Sequence, residues 1–378
     1  MRCGILVAAA LMAAVLSALP PAAARRQGSA GPPMAHPQLP SDYPIHFTVI
    51  GDWGRRRLPD RPTGYNQTRV AAAMAARAAR WPSKKADFVI STGDNFYGIG
   101  LRKDKGGVND PQFTEKFTDV YNQSSLNVPW LSVLGNHDYG DSAYCDPKEP
   151  DYRPNEISDP FAQLDPALQK RDPRWHAWLN QKLTLAGGKV DIFMIDTSPF
   201  EIWYYPYCFA HWGLNTQHWV KNLAWLDSAL AASTAEWKLI VGHHGTVSSG
   251  KHGGSALLRA TLEPLIWKYK AQALFAGHDH TLEHLHVVPK YPDEPNYHIV
   301  VSGGGSKRNS KFGTPNKYSI WGGLHEGFAA CTLTSKALTV QFFSLDHAGG
   351  REPAHNATIP RVLLKGRSPH PPSDDDED

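Results

Sequence analysis

Carboxylate, phenol, amide and imidazole groups recur along the chain in short blocks that each begin with glycine. They are Gly51-Asp52, Gly93-Asp94 with Tyr97 three residues on, Gly135-Asn136-His137, Gly242-His243 and Gly277-His278-Asp279-His280. Oxygen and imidazole donors without thiolate suit iron, zinc or manganese rather than a structural thiolate site. In "GHDH" the histidines are two residues apart, so an extended segment turns both to one side and Asp279 to the other. One such pair alone is more often solvated than metal-bound. Five blocks together form a ligand set, and it is too large for one ion. Two ions about 3.5 Å apart, bridged by a shared carboxylate, support in-line displacement at phosphorus.

The blocks sit at the ends of apolar runs. "HFTVIGD", "DFVISTGD", "WLSVLGNHD", "DIFMIDT", "WKLIVGHH" and "ALFAGHDH" are β-branched or aromatic stretches ending in polar clusters. Continuous apolar runs of this length suit strands buried on both faces. Helical patterns intervene at 68–80, 216–232 and 255–270, the second with Val220, Leu223, Leu226 and Leu230 on one face. This is βαβ alternation, whose parallel strands gather ligands at their carboxyl ends. Near the end, "YHIVVSGGGS", "GFAACTLTS" and "ALTVQFFSL" follow one another without helices and read as an antiparallel group. The expected fold class is α/β, with two mixed β-sheets packed face to face and flanked by helices.

A formal net charge of +3 over 378 residues, with 41% hydrophobic and 20% charged residues, allows a globular core. It does not suggest a nucleic-acid or membrane-surface partner. Residues 1–24 read as a signal peptide, with Arg2, an apolar stretch and Ala22-Ala23-Ala24 as cleavage site. Residues 25–42 are a Pro/Gly-rich flexible lead-in, 43–347 one continuous domain, and 348–378 a segment with an acidic disordered tail. Asn66, Asn122 and Asn356 head glycosylation triplets. Cys145 and Cys208 lie in loops and could pair, whereas Cys331 reads as a buried thiol.

Taken in order, "GDWG", "GDNFY", "GNHD", "GHH" and "GHDH" resemble the signature blocks of the purple acid phosphatases, over roughly residues 45–347. The length and "GHHGTVSSGKHG" look most like the small plant-type members, which are related to the mammalian tartrate-resistant enzyme. The resemblance implies a four-layer α/β/β/α sandwich of the calcineurin-like metallophosphoesterase superfamily. It assigns Asp52, Tyr97 and His280 to Fe(III), and Asn136, His243 and His278 to a second divalent ion (Fe, Zn or Mn). Asp94 is then the bridge. A hard trivalent ion suits carboxylate and phenolate, and a divalent one suits amide and imidazole. Gly54, where other metallophosphoesterases have histidine, and Tyr97, which they lack, are the most specific marks.

Five metal charges against Asp52, Asp94, the Tyr97 phenolate and one hydroxide leave about +1, a natural seat for phosphate. The implied protein is a secreted or vacuolar/lysosomal acid phosphatase acting on small phosphorylated substrates. Hydroxide on the iron attacks in line, and His137 and His252 match the family's pocket histidines as proton donors. The alternatives are a phosphodiesterase or nucleotide pyrophosphatase on the same site, or a non-catalytic iron- or phosphate-binding glycoprotein.

Five further features are weaker. Arg55-Arg56-Arg57 reads as a solvated run. "SGGGS" at 302–306 lacks the ending of a phosphate-cradling loop and reads as backing for the metal loops. Tyr204, Tyr205 and Tyr207 form a pocket wall or a packed loop. His244 stays undecided, and Asp196 reads as structural.

Overall fold

The computed structural model describes residues 34–55, 66–141, 148, 155–205, 213–289 and 295–362. In chain order the strands are β1 (Ile45–Ile50), β2 (Phe88–Ser91), β3 (Trp130–Ser132), β4 (Trp175–Ala177), β5 (Asn180–Leu185), β6 (Val190–Ile195) and β7 (Trp237–Val241). They continue as β8 (Ala273–Ala276), β9 (Leu282–Val287), β10 (Tyr297–Ser302), β11 (Ser319–Gly323), β12 (Gly327–Leu333), β13 (Ala337–Ser344) and β14 (His355–Pro360). The α-helices are α1 (Gln67–Ala78), α2 (Asn136–Tyr139), α3 (Pro166–Arg171), α4 (Trp219–Ala231) and α5 (Ala256–Tyr269).

Two seven-stranded sheets form, in the orders β14-β13-β12-β1-β2-β3-β4 and β11-β9-β10-β8-β7-β6-β5. Both are mixed. Strands β1 to β4 run parallel, with β12 to β14 added antiparallel beside β1. In the other sheet β6, β7, β8 and β10 are parallel, and β5, β9 and β11 are antiparallel additions.

Strand alternation sets the layers. Phe47, Val49, Phe88 and Ile90 of the first sheet meet Leu239, Val241, Phe275 and Val300 of the second in the central core. Val89 and Trp130 face outward against Val70 and Met74 of α1. On the far side Ile240, Leu274 and Ile299 pack on Leu223 and Leu226 of α4 and Leu262 and Ile266 of α5. The result is the α/β/β/α sandwich. Each such buried side chain contributes about 1.5–3 kcal/mol, so the layers are firmly held.

Several boundaries differ from the sequence reading. Helix α4 begins at Trp219 rather than 216, because a short 3-10 turn occupies Leu214–Thr216. The lead-in is not free over its described part: Met34 is buried in the α1-side core and the Ala35 backbone bonds Gln169. The sheet also runs past 347, since β14 pairs with β13 from Ala337↔Pro360 to Phe342↔His355. The expected signal peptide, the acidic tail from 363 onward and the Cys145–Cys208 pair lie outside the described residues. Among the described residues Cys331 is buried and free, and no helix is long and apolar enough to cross a membrane. Asn122 and Asn356 are exposed, whereas Asn66 donates to Glu326.

A run of imidazoles joins the two sheets. His284 Nδ1 lies 3.2 Å from His355 Nε2, and its Nε2 lies 3.0 Å from His298 Nδ1. Burial, then the neighbouring imidazoles, pushes His284 down to about 4 and His298 down to about 3. A folded pKa below the unfolded value means that the unfolded chain takes up protons first as pH falls. The stability these residues contribute is therefore full above about pH 6.5 and is lost as pH falls toward 4. Thermal melts of metal-loaded protein should show Tm falling between pH 7 and 4.5. In the double variant His284→Asn/His298→Asn that fall should be shallower by roughly 2–4 °C, whatever its starting Tm. An unchanged slope would contradict this account.

Candidate metal centre

The parallel strands of both sheets end at one edge, and the glycine-led blocks follow them there. Asp52 follows β1, Asp94 and Tyr97 follow β2, Asn136 follows β3, His243 follows β7, and His278 and His280 follow β8. Most of these side chains are shut away from solvent. Asp52, Asp94, Tyr97, Asn136, His243 and His280 are buried, and His278 is half-buried.

The side chains fall into two clusters with one member in common. In the first, Tyr97 Oη lies 2.8 Å from Asp52 Oδ1, 2.6 Å from Asp94 Oδ2 and 3.0 Å from His280 Nε2. In the second, Asn136 Oδ1 lies 3.1 Å from His243 Nε2 and 2.9 Å from His278 Nδ1. The other oxygen of Asp94, Oδ1, stands 3.4 Å from His243 Nε2. Asp94 thus offers one oxygen to each cluster, and the three-residue step to Tyr97 folds its phenol back onto it.

Backbone groups aim the donors. The Thr92 carbonyl is 2.8 Å from His243 Nδ1 and must accept its proton, which leaves Nε2 as the free donor atom. Backbone N–H groups of His137 and His278 donate to Asp94 Oδ1 and Asp52 Oδ2 at 2.8 and 2.9 Å. Asp52, Asp94 and His278 all adopt left-handed backbone, with φ of 59°, 52° and 65°. Such residues cost about 1–2 kcal/mol each and persist where their surroundings over-determine them.

Two glycines matter through close approach. A Cβ on Gly135 would lie 2.3 Å from Asp94 Oδ1 and 2.8 Å from His243 Cε1, inside the site itself. One on Gly54 would sit 1.7 Å from the Asn95 carbonyl oxygen. The Gly54 carbonyl also accepts the Tyr97 N–H at 2.7 Å. The loop that carries Tyr97 therefore occupies the room a histidine would need at position 54, so the two sequence marks are one structural fact.

The electrostatics of the site favour positive charge. Burial pushes the Asp52 carboxyl up to about 7, with Asp94 adding to the rise and His243 opposing it. Burial acts on Asp94 too, but His243, His137 and the Tyr97 hydroxyl outweigh it and hold its carboxyl below the usual range. Burial, then both carboxylates, holds the Tyr97 phenol protonated. Burial also keeps His278 and His280 neutral, the form that binds metal. Two carboxylates, a phenol, an amide and three imidazoles, converging in two overlapping sets, fit a pair of cations.

Other side chains support the constellation. Asp138, unassigned in the sequence though it lies in "GNHD", is fully buried. It accepts from the backbone of Asn95, Phe96 and Gly135 and from Gln163 Nε2, tying two ligand loops together. "SGGGS" does back the metal loops: the Ser302 carbonyl accepts from Gly51 N, and Ser306 Oγ donates to the Asp52 carbonyl. Asp196 is structural, bound by Tyr139 and by the Ser198 backbone. His244 stands near His243 and His278, but its ring nitrogens face the hydroxyls of Thr197 and Tyr204 at 2.9 and 3.0 Å. It buttresses the site and donates nothing to it. Arg55 departs from the solvated-run reading: its guanidinium lies 4.1 Å from the Tyr97 ring centre. Arg56, Arg57 and Tyr207 lie outside the described residues. The two extra histidines are also at hand. His137 Nδ1 faces the Gly98 carbonyl at 3.0 Å, and the His252 ring lies 4.4 Å from that of His278.

Comparison with known proteins matches the fold. Residues 45–282 match the calcineurin-like phosphoesterase family. The chain is 38% identical to Purple acid phosphatase 3 of Arabidopsis thaliana over 71% of its own length, and spans 64% of that relative. It is 36% identical to Purple acid phosphatase 7 of the same plant, covering 72% of this chain and 74% of the relative. With Tartrate-resistant acid phosphatase type 5 of Homo sapiens the identity is 30%, over 79% and 86%. Among solved structures, GAP50, the anchor in the inner membrane complex of Plasmodium, superposes with a TM-score of 0.60. It is 21% identical and covers 85% of this chain and 90% of its own. The purple acid phosphatase from yellow lupin seeds gives 0.59 at 16% identity, over 86% and 56%. These two likenesses speak for the fold alone.

The two-cluster geometry makes a prediction about metal content. Asn136→Ala or His243→Ala should selectively deplete one ion in purified protein, and Asp52→Ala the other. Asp94→Ala should deplete both, because its carboxylate serves both clusters. Elemental analysis showing equal loss of both ions in all four variants would contradict the division.

Proposed function

The chain belongs to the calcineurin-like phosphoesterases and, within them, to the purple acid phosphatases, and on that premise we propose that it hydrolyses phosphate monoesters in an acidic medium. The observation that carries the reading is Asp94 shared between a phenol-bearing and an amide-bearing cluster. We assign Asp52, Tyr97 and His280 to Fe(III), Asn136, His243 and His278 to a divalent Fe, Zn or Mn, and the bridge to Asp94. Bound there, the cations supply the charge that draws a phosphoryl group in and a water acidic enough to become the nucleophile. The leader-like residues 1–24 support a secretory route, ending outside the cell or in a vacuole or lysosome. The exposed Asn122 and Asn356 are its glycosylation sites.

The remaining work of the chain is proton delivery. The Gly98 carbonyl fixes the proton of His137 on Nδ1, so in the imidazolium the Nε2 proton is the one free to leave. The His252 backbone N–H donates to Asp279 Oδ1 at 2.8 Å, which holds its loop over His278. His252 is exposed at its surface, yet its ring packs on His278; this partial burial lowers its pKa, while Asp279 pulls the other way. An acid medium is therefore needed to hold it as imidazolium. Protonation of the departing alkoxide by His252, seconded by His137, accounts for an acid optimum.

Leaving-group dependence tests this role. His252→Ala should lose roughly 10²-fold in kcat on an alkyl ester such as glycerol 2-phosphate, the ordinary scale of general acid catalysis. The loss should be smaller on p-nitrophenyl phosphate, whose leaving group needs little protonation, and metal content should be unchanged. Equal losses on both substrates, appearing mainly in KM, would make His252 a binding residue instead.

A further inference from the structure

The cavity that His278 lines has two further lining residues that neither the metal cluster nor proton delivery uses. It is lined by Gly277, His278, Asp279 and His252, and also by Glu201 and Trp203. Trp203 is 52% exposed, a large aromatic surface left facing solvent beside the proposed site of chemistry. A scattered exposed tryptophan would be unremarked on any surface. This one is held in a fixed orientation. Its indole Nε1–H donates to Glu201 Oε2 at 2.8 Å, and its ring centre lies 4.0 Å from that of Tyr204. Tyr204 is itself buried and faces His244 Nε2 at 3.0 Å, one residue from the ligand His243. The indole is thus tied through two contacts to the metal edge of the fold.

A rigid, half-exposed ring of this kind binds flat groups at low entropic cost, because its rotamer is already chosen. Beside it, Glu201 Oε1 is buried and has no hydrogen-bond partner among the described residues. An orphaned acceptor next to an aromatic face suits a flat group that carries an N–H or O–H. The adjoining carboxylate disfavours a second anionic group at the same place. Resting on the phosphatase reading for the position of the phosphoryl group, we propose that Trp203 is a specificity residue. It forms a stacking platform that favours phosphate esters whose leaving group carries a planar aromatic ring. Esters of small aliphatic alcohols place nothing on it.

The ring could sit on the ester oxygen, as in an aryl phosphate, or at longer reach, as in a nucleoside monophosphate. The test therefore uses two ligand pairs: phenylphosphonate against methylphosphonate, and AMP against ribose 5-phosphate. Affinities of the phosphonate pair are measured calorimetrically on the metal-loaded protein, so the platform is read even if turnover is absent. The AMP pair is read both as inhibition constants against phenylphosphonate displacement and as kcat/KM. Wild type should prefer the aromatic member of at least one pair. Trp203→Ala should reduce that preference about tenfold, the scale of an aromatic contact. Trp203→Phe should retain most of it. Preference lost in the phosphonate pair assigns an aryl group on the ester oxygen, and loss in the AMP pair alone assigns the longer reach. Wild type with no preference in either pair, or a preference unaltered in Trp203→Ala, overturns the proposal. Failure of the phosphatase reading would show separately, as absent hydrolysis of both phenyl phosphate and glycerol 2-phosphate by wild type.

Discussion

Everything at the metal edge depends on Asp94 standing in two clusters at once. One of its oxygens takes the Tyr97 phenol at 2.6 Å and the other faces His243 at 3.4 Å. Asp52 Oδ1 lies 2.8 Å from the same phenol. Ionised carboxylates so deeply buried cost several kcal/mol each when no countercharge accompanies them. Asp52, Asp94 and His278, three of the proposed ligands, add left-handed backbone to that cost. A small or loose fold would relax such a site. Two seven-stranded sheets with a continuous core between them do not.

The loops are locked to one another as well as to the sheets. Asp138 gathers N–H groups from the loop after β2 and the loop after β3, which keeps Asp94 and Asn136 from drifting apart. Gly54 makes room for the Tyr97 loop and accepts its N–H. The seryl and glycyl run after β10 closes the site from behind. Donors held in this way are pre-organised, which is what separates a metal site from a mere collection of polar residues. The phosphoryl-transfer reading follows from that pre-organisation together with the shared carboxylate.

The strands that position the site were legible because they are buried on both faces and spell unbroken apolar runs. The edge strands were not. Strand β5 (NQKLTL), β11 (SIWGG) and β14 (HNATIP) each leave one side wet, and their polar residues hide the pattern. Strand β4 spans only Trp175–Ala177, too short to show any period. All seven proposed ligands were readable as residue types, and the structure brings all seven together. The His278–His280 pair is not an extended segment with both rings to one side. His278 leaves the extended conformation, and the two rings serve different clusters. Asp138, Arg55 and the docking of Met34 depend on contacts between distant segments, which local patterns do not carry.

The most direct test of the account is the metal content and visible spectrum of the purified protein. Two ions per chain, with iron among them, should accompany a charge-transfer band from the Tyr97 phenolate that gives a pink to purple colour. Tyr97→Phe should remain folded and bind metal but lose the band. An iron-loaded wild type without colour, or protein that saturates with a single ion, would contradict the two-cluster centre.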